Sequence, residues 1–155
     1  MNNEYLDFEI DVTKLKLPDH PPIPNLKIVI FDETYSPNNL IDIFVKIFPD
    51  EINSEKENEF RHSKRKKYEG TYIALINEKI IGFLITGILT FNDPLGYILY
   101  LGVLKNFRSK GIATELLKRF KLDLNKKGVS KIQARIKKDN FLVLKYINYL
   151  GFKQL

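Results

Sequence analysis

The alternation of apolar and polar residues at the start of the chain predicts a strand. Leu6 to Val12 alternates apolar and acidic side chains, the pattern of a half-buried strand. The next segment cannot form a helix, because it contains four prolines: Pro18, Pro21, Pro22 and Pro24. Residues 1–25 are therefore interpreted as an N-terminal strand and a proline-rich linker, with His20 as a solvated loop histidine.

From residue 26 onward the pattern predicts one α/β domain, 26–155, in the element order β-α-α-β-β-β-α-β-α-β. The predicted strands are 26–31, 71–76, 79–91, 97–103, 130–136 and 152–155, and the predicted helices are 37–48, one starting near 54, 112–127 and 140–150. Ser36-Pro37 marks the start of the first helix, Ser54 and Glu57 form a capping box at the second, and Asn77-Glu78 closes a hairpin.

The junction between a strand and a helix near residue 108 is the most informative segment. The strand ends at Val103, a short basic loop carries Arg108 and Lys110, and the helix begins directly after Gly111. The first turn of a helix presents unpaired backbone N–H groups, and a glycine allows a ligand to approach the chain closely. Together with the two cations, this arrangement predicts a phosphate site whose donors are the backbone N–H groups of residues 109–114.

Two motifs here resemble those of the GCN5-related N-acetyltransferase (GNAT) superfamily, which transfers acetyl groups from acetyl-CoA to amines. Arg108-x-x-Gly111-x-Ala113 fits the signature [Gln/Arg]-x-x-Gly-x-[Gly/Ala], and Asn140 with Gly151-Phe152 resembles the family's Asn-x(10)-Gly-Phe segment. The resemblance covers residues 26 to 155. It implies an α/β (α+β) fold with a central mixed, mostly antiparallel sheet flanked by helices. That sheet is splayed between the strands at about 97–104 and 130–136 to admit pantetheine.

The resemblance also implies how acetyl-CoA is held as cosubstrate. Backbone groups of Leu101 and its two successors pair with pantetheine like an added strand, and the Leu101 N–H, or one nearby, polarises the thioester carbonyl. Asn140 caps the last helix. This is either its only role, or it also contacts pantetheine. The implied cofactor-binding residues are Leu101, Gly102, Val103, Arg108, Ser109, Lys110, Gly111, Ile112, Ala113, Thr114 and Asn140.

The position of the catalytic acid departs from the family pattern. In Asn-x(6)-Tyr-x(3)-Gly-Phe the tyrosine hydroxyl protonates the CoA thiolate, but the corresponding position after Asn140 is Ile147. Tyr146 is the candidate acid instead, provided that the helix is locally shifted, because one residue is about 100° around a helix. The alternative is that Tyr146 and Tyr149 only pack.

The catalytic base and the end of the sheet are further departures. Many relatives carry a glutamate on the strand before the phosphate loop, and this strand has none; Asp50, Glu51 and Asp93 are alternatives that also fit surface or turn roles, so no base is assigned. Family members usually continue past Gly-Phe with a longer hairpin. Because exposed sheet edges are avoided, the strand at 6–12 is expected to cover an edge, in its own chain or in a homodimer.

Composition narrows the functional classes. The 155 residues, 44% of them apolar, fit one domain with a core, and the net charge of +6 suits an anionic partner. The absence of cysteine excludes an acetyl-cysteine intermediate, so transfer is expected to be direct. Two separated histidines predict no metal site. Without a membrane-length apolar run or a signal peptide, a cytoplasmic location is expected.

These observations predict an acetyltransferase that moves acetyl from acetyl-CoA to a primary amine, which is a protein N-terminus, a lysine or a small amine. One alternative is a non-catalytic acyl-CoA-binding or regulatory module, favoured by Ile147 and the missing strand glutamate. Another is a nucleic-acid-binding domain resting on the positive charge. The basic run Lys64 to Lys67 is interpreted as a solvated helix end rather than as such a surface.

Overall fold

The computed structural model describes residues 4–61, 70–90 and 92–155. In these ranges the strands are β1 Tyr5–Asp11, β2 Leu26–Ile30, β3 Thr71–Ile76, β4 Lys79–Leu89, β5 Leu95–Val103, β6 Lys131–Lys137 and β7 Lys153–Gln154. The helices are α1 Pro37–Ile47, α2 Ser54–Arg61, α3 Ile112–Lys126 and α4 Phe141–Leu150. From β2 onward the element order is the predicted one.

All strands belong to one sheet with the spatial order β2-β3-β4-β5-β6-β1-β7. Only the β5–β6 pair is parallel among the described strands, and the other neighbours are antiparallel. The mixed, mostly antiparallel sheet flanked by helices is therefore confirmed. β5 begins at Leu95, two residues earlier than predicted, because Gly96 continues the pairing with β4 opposite Ile88.

Each face of the sheet has its own apolar cluster. One cluster packs α3 against the sheet through Leu116, Phe120 and Leu124, all of which are at most 1% exposed. The other packs α1 through Leu40 and Phe44 against Ile73 and Phe83. Burying a side chain of this size stabilises the fold by about 1.5–3 kcal/mol, so the two clusters fix both helices on the sheet.

Local signals explain most of the element ends. Pro37 opens α1 after the cap Ser36, and the hairpin turn places both Asn77 and Glu78 at positive φ. The second helix begins at Ser54, but Ser54 is its first helical residue instead of its cap, because the Glu57 N–H donates to the Asn53 carbonyl at 2.9 Å. The predicted continuation of this helix and the basic run at 64–67 lie outside the described residues.

The N-terminal strand β1 lies inside the sheet, between β6 and β7. It faces β6 along its whole length, from Tyr5 opposite Lys137 to Asp11 opposite Lys131. On its other side Phe8 and Glu9 face β7, and the Leu155 N–H donates to the Asp7 carbonyl at 2.8 Å. The expected edge cover is thus found within one chain, and association of two copies stays a prediction.

Candidate cofactor and acceptor site

The site begins where β5 and β6 separate. Their pairing runs from Leu95 opposite Lys131 to Ile98 opposite Ala134 and stops there. Beyond this point β5 follows β4 as far as Val103, while β6 follows β1 as far as Lys137. The predicted splay between these two strands is therefore present. It opens a cleft of about 1410 Å³.

The three β5 residues predicted to hold pantetheine have different surroundings. Leu101 lines the cleft, whereas Gly102 and Val103 are buried and are not among its lining residues. A Cβ added to Gly102 would lie 3.0 Å from Ile47 Cγ2 and 3.1 Å from Phe48 Cε2. Glycine at this position is therefore explained by the close approach of the α1 end to β5.

The phosphate loop has the backbone geometry of an anion site. Ser109 and Gly111 both have positive φ, at 63° and 100°, and Gly111 precedes α3 without a side chain to cap it. The Glu115 N–H is the first to close a helical turn, onto the Gly111 carbonyl at 3.0 Å. The N–H groups of residues 112–114 lie ahead of that turn, so they fit an anionic ligand such as a diphosphate.

Arg108 connects this loop to the cleft strand. Its Nε donates to the Val103 carbonyl at 2.8 Å, which ties the loop to the end of β5 and uses one of the five guanidinium donors. Arg108, Ser109 and Lys110 are exposed. The predicted cationic residues are therefore beside the first turn of α3, with Arg108 also bracing the loop.

His20 belongs to this neighbourhood, although the sequence predicted a solvated loop position. That prediction is wrong: the His20 side chain is only 14% exposed, and its ring lies where a Cβ on Gly111 would be, 2.3 Å from the His20 Cγ. The His20 Nε2 is 3.1 Å from Glu115 Oε1. No local signal in the sequence indicated this contact, because it joins residues 95 positions apart.

A second cavity of about 450 Å³ lies between the linker and the phosphate loop. Its linker side is formed by residues 18 and 20–24, and its loop side by Ser109, Lys110, Gly111 and Thr114. Thr114 links this cavity to the cleft, since its Oγ1 is 3.3 Å from the hydroxyl of Tyr146, which lines the cleft.

α4 carries the other predicted site residues. Asn140 caps the helix, its Oδ1 accepting from the Val143 N–H at 3.3 Å, and it also lines the cleft. Ile147, at the family's tyrosine position, is 3% exposed and packs in the core beside Leu150. Burial raises the pKa of Tyr146, and the hydrogen bond with Thr114 partly opposes this shift. The Tyr146 hydroxyl is therefore protonated at neutral pH and can donate.

On the α1 side of the sheet, the cleft holds a polar cluster that sequence reasoning left unassigned. Glu51 Oε1 is 2.9 Å from Lys137 Nζ, and the Glu51 carboxylate also lies near the Tyr100 hydroxyl. Burial, followed by the negative charge of Glu51, raises the pKa of Tyr100. The Glu51 hydrogen bond raises the pKa of Lys137. Glu51 thus bridges β5 and β6 across the splayed gap.

The other candidate carboxylates are placed less favourably. Asp50 lines the cleft but is exposed, and Asp93 lies in the turn before β5, outside the residues that line the cleft. Among the three candidates, Glu51 is the one with a partly buried carboxylate, at 22% side-chain exposure. Motif spacing in the sequence could not have identified Glu51, because its partners Tyr100 and Lys137 lie on two distant strands.

Comparison with known proteins agrees with this architecture. The family model described as "Acetyltransferase (GNAT) family" matches residues 38–152. This chain belongs to the GNAT acetyltransferase family. The match begins after the N-terminal strand and linker, so it includes the phosphate loop, the splayed strands and α4, but not His20.

Solved structures with the same fold include several aminoglycoside acetyltransferases. One, from an uncultured soil metagenomic sample and in complex with sisomicin, is 23% identical with a TM-score of 0.68 over 82% of this chain and 88% of the other. AAC(6')-Iy, in complex with the bisubstrate analog CoA-S-monomethyl-acetylneamine, is 19% identical with a TM-score of 0.64 over 83% and 90%. AAC(6')-Ih from Acinetobacter baumannii is 18% identical with a TM-score of 0.67 over 83% and 90%. At these identities the likeness establishes the fold.

No helix in the described ranges is both long enough and apolar enough to span a lipid bilayer.

Proposed function

We propose that this protein is an N-acetyltransferase that moves the acetyl group of acetyl-CoA directly to a primary amine. One observation carries the proposal: the cleft between the splayed strands adjoins the uncapped first turn of α3, with Tyr146 and Thr114 in contact where the two meet. An elongated ligand with a diphosphate in its middle and a thioester at one end fits these two neighbouring sites. A cytoplasmic location belongs to the same proposal.

The residues for the diphosphate are those of the loop between β5 and α3. The N–H groups of residues 109–114 donate to phosphate oxygens, and the positive end of the α3 dipole contributes about 0.3–1 kcal/mol. Arg108 and Lys110 add charge on the solvent side. Leu101 borders the pantetheine path, and Asn140 stands at its α4 wall.

The acceptor side of the cleft is proposed to recognise a cationic amine through Glu51. An amine with an ordinary pKa near 10.4 arrives protonated at neutral pH and must lose a proton before it attacks. The Glu51 carboxylate already accepts from an ammonium, that of Lys137 at 2.9 Å. An acceptor ammonium that takes the place of Lys137 would have the same partner, and Glu51 would take its proton.

Acetyl-CoA, once bound, supplies the thioester whose acetyl carbon the amine attacks. In the proposed mechanism the Leu101 N–H donates to the carbonyl oxygen as negative charge develops there, and Tyr146 gives its hydroxyl proton to the departing sulfur. One carbon–sulfur bond is exchanged for one carbon–nitrogen bond. The ammonium gives its first proton to Glu51, which passes it to solvent, and Tyr146 gives its proton to the thiolate. The second proton leaves the nitrogen as the amide forms and restores the Tyr146 hydroxyl through solvent. Cysteine is absent from the chain, so transfer involves no thiol of the protein.

The experiment that tests this function is thiol release from acetyl-CoA across a panel of amines. The panel would contain aminoglycosides, polyamines, amino sugars, and peptides with a free N-terminus or a free lysine. Amine-dependent release of CoA with a matching acetylated product supports the proposal. Tight CoA binding with no turnover on any amine would favour the non-catalytic module instead, an alternative for which the burial of Ile147 is the specific observation.

A further inference from the structure

The linker between β1 and β2 crosses the α3 surface and reaches the phosphate loop. It is held at its start by a hydrogen bond from the Lys16 N–H to the Leu150 carbonyl at 3.0 Å, and it ends at β2. Its prolines at 18, 21, 22 and 24 restrict its backbone, so the position of His20 between them is well defined. Along this path, over α3, the chain passes from β1, between β6 and β7, to β2 at the other end of the sheet.

Two contacts hold the His20 ring in place. The Nδ1 is 2.8 Å from the Pro21 carbonyl oxygen and the Nε2 is 3.1 Å from the Glu115 carboxylate. The ring lies against Gly111, in the middle of the loop that presents the N–H groups.

The cavity between the linker and the loop has the composition that a nucleotide diphosphate requires. Its loop side offers Lys110 and the backbone of residues 109–111, and its linker side offers the His20 ring with apolar surface from Pro22, Ile23 and Pro24. It adjoins the cleft where Thr114 and Tyr146 are in contact. A ligand whose thioester end lies in the cleft can therefore place its other end in this second cavity.

We propose that His20 is a cofactor-positioning residue and that the segment 18–24 forms the outer wall of the subsite for the diphosphate and adenosine of CoA. This inference rests on the proposed use of acetyl-CoA. The His20 ring packs against Gly111 and Glu115 holds it there, so His20 supports the loop that carries Arg108 and Lys110. The outer wall is supplied by residues that precede the matched range 38–152, so it is a feature of this chain rather than of the motif alone.

A calorimetric titration with two probes separates this role from a purely structural one. CoA carries the diphosphate and adenosine, whereas pantetheine has neither. The His20→Ala variant should bind CoA about tenfold more weakly, because the phosphate loop loses the ring that packs against Gly111, and should bind pantetheine as the unchanged protein does. Asp19→Ala is the matched control, because Asp19 is an exposed neighbour that does not line the cavity.

The same titration contains the results that overturn the inference. Unchanged or tighter CoA binding by His20→Ala would mean that His20 covers the phosphate loop and does not help it to bind CoA. An equal loss for CoA and pantetheine would mean that the residue only supports the fold. If the unchanged protein binds CoA and His20→Ala does so equally well, this inference alone fails; if the unchanged protein does not bind CoA, the proposed function fails with it.

A measurement on the unchanged protein avoids dependence on the variant's folding. The imidazole resonances of His20 should shift by NMR when CoA is added and stay in place when pantetheine is added. His62, the second histidine of the chain, serves as the internal reference. If the His20 resonances do not shift at a saturating concentration of CoA, the assignment of His20 as a cofactor-positioning residue is wrong.

Discussion

The hydroxyl oxygens of Tyr146 and Thr114 lie 3.3 Å apart, and they join α4 to the first turn of α3. Thr114 is only 4% exposed, so this is a buried contact at the place where the cleft meets the phosphate loop. It also gives Tyr146 a defined direction although the family's tyrosine position is occupied by the buried Ile147. The pair is therefore the structural basis for assigning the acid to Tyr146.

Replacing Tyr146 by phenylalanine should lower the maximal rate without a comparable effect on CoA affinity. General acids contribute about 10²–10⁴-fold, and a thiol with a pKa of about 8.5 departs readily, so we expect a loss near the lower end. Steady-state kinetics with a saturating amine measure it. Tyr149→Phe is the control, since Tyr149 is 61% exposed. An undiminished rate for Tyr146→Phe would show that Tyr146 is not the general acid.

The pH dependence of the same reaction gives an independent check. Burial raises the pKa of Tyr146 above its ordinary value of 10.0. An acid is lost as the pH rises through its pKa, so the maximal rate should show no decline attributable to Tyr146 between pH 7 and about pH 10. A decline in that window that disappears in Tyr146→Phe would contradict the raised pKa of Tyr146.

Replacing Glu51 by glutamine should reduce kcat/KM for the amine by about 10²-fold or more, because a neutral amide neither attracts an ammonium nor takes its proton. The affinity for CoA should stay unchanged. Asp93→Asn is the matched control, since Asp93 lies in the turn before β5 and outside the cleft lining. Equal effects of the two substitutions would remove Glu51 from the acceptor site.

The phosphate loop is best tested by removing single cations. Arg108→Ala should weaken CoA binding by about 1.5–3 kcal/mol, as for a lost hydrogen bond to a charged group, and Lys110→Ala should weaken it by less. Gly111 is a poorer test, because its φ of 100° and the His20 ring penalise any side chain there and would also destabilise the fold. Lys105→Ala is an exposed control, and unaltered affinity in Arg108→Ala would contradict the loop assignment.

β1 should prove necessary for the stability of the whole sheet. Phe8 on β1 is 2% exposed and packs in the same cluster as α3. Phe8→Ala should therefore lower the free energy of unfolding by about 3–5 kcal/mol, as measured by denaturant titration. Leu122→Ala, at a side chain that is 49% exposed, should change it little, by about 0.5 kcal/mol or less. A small effect of Phe8→Ala would mean that β1 is an accessory strand.

Local patterns in the sequence predicted the elements well, whereas contacts between distant segments were out of their reach. Hydrophobic periodicity identified the buried face of α3, and Asn140 signalled the cap of α4 through its local hydrogen bond. The position of β1 between β6 and β7 depends on pairings across more than 100 residues. For the same reason the sequence left His20 in a solvated loop and Glu51 without a role.

The most direct measurement is a crystal structure of the protein grown with acetyl-CoA. We predict that the diphosphate lies on the N–H groups of residues 112–114 and that the thioester lies in the cleft beside Leu101, within reach of the Tyr146 hydroxyl. Acetyl-CoA bound elsewhere, or absent from the cleft at saturating concentration, would contradict the proposed function.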